Sequence, residues 1–76
     1  MRDKVLEILT SIRPDVDFEN EAALIDDEIL ESFDVIQIVT EFMEAFDIRI
    51  DGDDIETDNL NNIDLMVEFI KSKQAQ

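Results

Sequence analysis

Cysteine and histidine are both absent from the 76-residue sequence. Without cysteine there is no disulfide staple and no thiolate zinc site, and without histidine the commonest remaining transition-metal ligand is gone. The same absence leaves a serine nucleophile without an imidazole to take its proton, and the three lysines lie remote in sequence from Ser32. Independent catalysis is therefore not expected. No apolar run approaches the ~20 residues that span a bilayer. Met1-Arg2-Asp3-Lys4 leads into an amphipathic segment rather than a signal sequence, so a cytoplasmic location is the expectation. Proline and glycine occur once each, as Pro14 and Gly52, and each marks a break in the chain.

Basic residues are also scarce: 6 stand against 21 acidic ones, for a formal net charge of -15. That field repels nucleic acid and anionic lipid, and points to partners with a basic surface. It also opposes compaction, because folding brings like charges together. Against this, 45% of the residues are apolar, enough to build one core in one domain spanning residues 1–76. A domain of this size buries roughly 60% of the surface its unfolded chain exposes and leaves no room for a deep substrate pocket.

Val5, Leu6, Ile8, Leu9 and Ile12 recur at helical spacing and predict a first helix over 2–12, ended at Arg13 by Pro14. Asp15 to Glu31 is polar but carries Val16, Phe18, Leu24, Ile25, Ile29 and Leu30, too many apolar residues for a free linker. A long ordered loop pinned to the core is expected, with a helix across Glu19 to Leu30 as the alternative. A second helix over 32–46 has Phe33, Ile36, Val39, Phe42, Met43 and Phe46 as its apolar stripe, with Asp34, Gln37, Glu41 and Glu44 across from it. Core packing is the expectation for that stripe, with Phe33 or Met43 also at the edge of a binding surface. Ser32 is placed to cap this helix, and Asp34 to meet its dipole. Ile48 and Ile50 suggest a short extended link. A short helix is expected over 53–56 and a last one over 62–73, with Ile63, Met66, Val67 and Ile70 inward and Leu65 and Phe69 beside them. Asn61 or Asn62 would cap it, and Gln74 to Gln76 should fray. The fold class is all-α: an antiparallel bundle of three main helices and a short fourth.

On local sequence Ser32 reads as a helix cap, and Glu41 and Glu44 as either partner contacts or a solvated face. The stretch Leu30-Glu31-Ser32-Phe33-Asp34-Val35-Ile36, followed by Phe42 and Phe46-Asp47-Ile48-Arg49-Ile50, resembles the phosphopantetheine attachment segment of the acyl carrier protein family. The likeness in element order covers nearly the whole chain. Asp58-Asn59-Leu60-Asn61-Asn62-Ile63 is similar to the branch of discrete D-alanyl and other aminoacyl carriers. Two departures stand out. Glu31 replaces the usual aspartate and no glycine occurs in Asp27-Glu28-Ile29-Leu30, while Gln37 stands where the family often has glutamate.

The resemblance implies a non-catalytic carrier. Its phosphopantetheine would sit on Ser32, donated by coenzyme A through a phosphopantetheinyl transferase and loaded by an acyl- or aminoacyl-activating ligase or synthase. Chemically, a thioester needs a thiol, and this sequence has none, so any thioester would form on an imported one. The helix N-terminus at Ser32 offers amides to a phosphate. Glu31, Phe33, Asp34, Gln37, Glu41 and Glu44 are the candidate partner-recognition residues, the acids steering basic enzymes. A monomer is expected. Fatty acyl, aminoacyl, and polyketide or peptide cargo all remain open. Two other classes fit parts of the sequence. Asp47, Asp51, Asp53 and Asp58 around Gly52 faintly resemble a calcium loop, but Arg49 falls at a ligand position and the closing acid is Asp58 rather than glutamate. An acidic helical adaptor without a prosthetic group would keep the bundle and lack the serine modification.

Overall fold

A computed structural model describes residues 1–75. Four α-helices appear in chain order: α1 (Arg2–Ile12), α2 (Ser32–Phe46), α3 (Thr57–Leu60) and α4 (Ile63–Gln74). A single 3-10 turn, Gly52–Asp54, precedes α3, and no strand occurs among the described residues. The protein is a small all-helical bundle in which α1 packs against both α2 and α4. Its centre is made by Val5 and Leu9 of α1, Ile38 and Phe42 of α2, and Met66 and Ile70 of α4, all buried. Gln76, part of the segment expected to fray, lies outside the described residues.

The segment between α1 and α2 is a succession of turns with no helix across 19–30. Phe18, Leu24 and Leu30 are buried in the core, which is why so polar a stretch is ordered. The other anchor is Asn61. Its carbonyl accepts the Leu24 N–H at 2.6 Å, and its Oδ1 accepts those of Ile25 and Asp26 at 3.0 and 3.2 Å. Asn61 thus satisfies three loop amides that no secondary structure would pair. The capping task falls to Asn62, whose Oδ1 accepts the Leu65 N–H at 2.9 Å.

Three expectations about the elements need correction. The short helix expected over 53–56 is instead a 3-10 turn followed by α3 at Thr57–Leu60. Asp54 closes the turn, its N–H donating to the Asp51 carbonyl at 3.0 Å and its carboxylate accepting the Asp51 N–H at 3.0 Å. Burial of Leu60 then draws the helix further along the chain. Within α4, Phe69 lies in the core rather than beside it, while Leu65 is exposed. The largest correction concerns α2. Phe33 and Ile36, expected inside, are 68% and 60% exposed, and Ile38 takes the core position at 1%.

Candidate functional site

Leu30 is buried and carries the chain to the start of α2, where Glu31 is extended (φ -87°, ψ 166°) and serves as the N-cap residue. Ser32 is consequently the first helical residue and not the cap. Its side chain is exposed, and its hydroxyl makes no hydrogen bond among the described residues. A hydroxyl oxygen is left free at the positive end of a 15-residue helix.

Asp34 organises this turn. Its Oδ2 accepts the Glu31 N–H at 3.1 Å and pairs with Arg13 Nη1 at 2.6 Å. Arg13 Nη1 also donates to the Ile29 carbonyl at 3.2 Å, while Nε and Nη2 grip both oxygens of Asp15 at 3.0 and 2.9 Å. These acceptors raise the Arg13 pKa above its already high ordinary value, Asp15 first and Asp34 second. In return the hydrogen bonds from Arg13 lower the pKa of Asp15.

Beside Ser32 lies an open groove of about 340 Å³ rather than a deep pocket. Ile25, Leu30, Val35, Ile36, Ile55 and Leu60 supply its apolar lining. Glu56 and Thr57 supply the polar part of its wall. The segment bearing Ile55 is tied to α4 by Lys73, which pairs with Asp54 at 2.7 Å. That contact, with the Asp51 N–H, holds the Asp54 carboxyl below the usual range.

Of the candidate recognition residues, Glu31, Phe33, Gln37, Glu41 and Glu44 are all exposed on α2 and its cap. Asp34 is not. It is 7% exposed and spends its charge on Arg13, so the sequence reading of Asp34 as a steering acid is corrected. Phe33 and Ile36 instead add apolar area to the exposed face. In the Asp47–Asp58 region, Arg49 pairs with Asp51 at 3.5 Å. No group of three or more acids there or elsewhere among the described residues converges to hold a metal ion.

A curated acyl carrier protein of Desulforapulum autotrophicum is 34% identical to this chain over 73 residues, covering 92% of each. The chain belongs to the acyl carrier protein family. No family model and no solved structure matches it.

For this member of the family, two residues of the site escaped the sequence reading. Arg13 was legible only as the end of α1, although a cation is conspicuous in a chain with 6 basic residues. Asn61 reads in sequence as an alternative cap to Asn62, and nothing in its local sequence indicates a partner 36 residues away.

Proposed function

We propose that this chain is a non-catalytic carrier holding an acyl or aminoacyl group as a thioester on phosphopantetheine attached to Ser32. The observation that carries the proposal is the Ser32 hydroxyl, exposed and free of internal bonds at the first position of α2, in a chain of this family. The residues fit the group. The first-turn amides of α2 favour a phosphate there, the apolar groove suits an extended arm or its cargo, and no side chain competes for the Ser32 oxygen among the described residues. When bound, phosphopantetheine supplies the thiol that the sequence lacks. The chain's part is to present the hydroxyl, keep it unbonded and offer a docking face.

Catalysis belongs to separate enzymes: a phosphopantetheinyl transferase drawing on coenzyme A, and a ligase or synthase that loads the thiol. Each would meet Glu31, Glu41 and Glu44 with Lys or Arg and cover Phe33, while Gln37 adds a neutral contact. The chain works as a monomer in the cytoplasm in this proposal. No described helix is long and apolar enough to cross a membrane.

Incubation with coenzyme A, magnesium and a broad-specificity transferase should add one phosphopantetheine by intact mass. Ser32→Ala should stay helical by circular dichroism and gain nothing. An unchanged mass in the folded wild-type chain, with its native transferase also tried, would favour the acidic adaptor instead.

A further inference from the structure

Arg13 lies 19 residues before Ser32 in sequence, yet one of its nitrogens touches both sides of the serine turn. Nη1 donates to the Ile29 carbonyl and to Asp34 Oδ2, so it links the last loop turn to the first turn of α2. Asp34 passes the constraint inward by accepting the Glu31 N–H. On the far side, Nε and Nη2 fasten the guanidinium to Asp15.

The rest of the local bonding does not replace this link. Ile29 and Leu30 both donate to the Leu24 carbonyl, which fixes the loop up to Leu30. From Val35 onward the helix fixes itself, beginning with Val35 N–H to the Glu31 carbonyl. Between those anchors, Glu31 and Asp34 close a capping box on each other, and Arg13 ties that box back to the Ile29 carbonyl.

We propose that Arg13 is a positioning residue for Ser32, bracketing the 29–34 turn through the Ile29 carbonyl and Asp34. The proposal rests on Ser32 being the acceptor. A transferase must bring the serine oxygen in line with a phosphate, and transfer is sensitive to displacements of about 1 Å in a reacting group. A planar fork that reaches two carboxylates and a carbonyl at once sets that geometry, and an ammonium with a single centre does not reproduce it. Arg13 ends α1, and among the described residues its side chain bonds Asp15, Asp34 and the Ile29 carbonyl but none of the docking side chains Glu31, Phe33, Glu41 and Glu44, so its loss should leave docking nearly intact.

The test compares wild type with Arg13→Gln and Arg13→Lys in two measurements. In the unmodified full-length chain, hydrogen exchange of the Glu31 amide should quicken in both variants while the amides of Phe42 and Met66 keep their protection. In transferase assays with coenzyme A, kcat toward the variants should fall on the order of tenfold or more, with KM little changed. Arg13→Lys should recover less than half of the lost kcat although it restores the charge. If Arg13→Gln does not fold, Arg13→Lys alone decides by the same two readings. Unaltered Glu31 exchange with unaltered kcat would overturn the proposal, as would a uniform loss of protection across all amides. Should the wild-type chain take no phosphopantetheine, the attachment reading fails, while the exchange measurement still decides whether Arg13 brackets the turn.

Discussion

Glu28 carries a positive φ of 58° without being glycine. It falls within the Asp27–Leu30 stretch that, by resemblance, ought to contain a glycine. The left-handed conformation costs a side-chain-bearing residue about 1–2 kcal/mol, part of which glycine loses again through entropy in the unfolded state. Glu28→Gly should therefore stabilise the fold by about 0.5–1 kcal/mol in urea titrations, while Glu28→Gln, which removes only the charge, should recover less. Equal gains from both would assign the effect to charge. Asp54 gives a pH-dependent case. Its folded pKa is lowered by Lys73 and the Asp51 N–H, so on acidification the unfolded chain takes up this proton first. The stabilisation is full above about pH 3.9 and is lost as pH falls through the folded value. Asp54→Asn should melt lower than wild type at pH 6, and the gap should close toward pH 2. A gap of constant size would contradict the ion pair.

Within α2 the sequence revealed the element but not its orientation. Phe33, Val35, Ile36, Ile38 and Val39 crowd the first half of the helix with apolar residues on nearly every side, so spacing alone permits more than one buried face. Asp34 reinforced the wrong choice, since an acid reads as solvent-facing until a partner such as Arg13 is known. The loop before α2 was legible as ordered from Phe18, Leu24 and Leu30, whereas the Asn61 anchor is a long-range contact with no local mark. Ile38→Ala should cost about 2–4 kcal/mol, because it empties a filled core position. Ile36→Ala and Phe33→Ala should each stay within about 0.5 kcal/mol. Chemical denaturation of the three variants checks this, and comparable losses at Ile36 and Ile38 would put the helix in the originally expected orientation.

For the whole molecule, apolar spacing made the all-helical class readable, and the family followed as a resemblance carried by the Leu30–Ile36 and Phe46–Ile50 segments within that helix order. The serine turn's internal wiring did not, because it joins residues 13, 29 and 34 through side chains. Net charge acts at this scale too. Added salt should raise the melting temperature by screening a charge of -15, and should slow association with a basic loading enzyme. Glu44→Lys should reduce the association rate more than it reduces stability. Rates unaffected by both salt and Glu44→Lys would remove the electrostatic part of docking. The proposed carrier function turns on a single oxygen. The chain has three serines, Ser11, Ser32 and Ser72, so a variant with Ser11→Ala and Ser72→Ala leaves Ser32 alone. After reaction with coenzyme A and a transferase, its intact mass should rise by one phosphopantetheine, with peptide mapping placing the group on Ser32. A folded double variant that gains no mass while wild type does, or a wild-type group mapped to Ser11 or Ser72, would contradict Ser32 as the point of attachment.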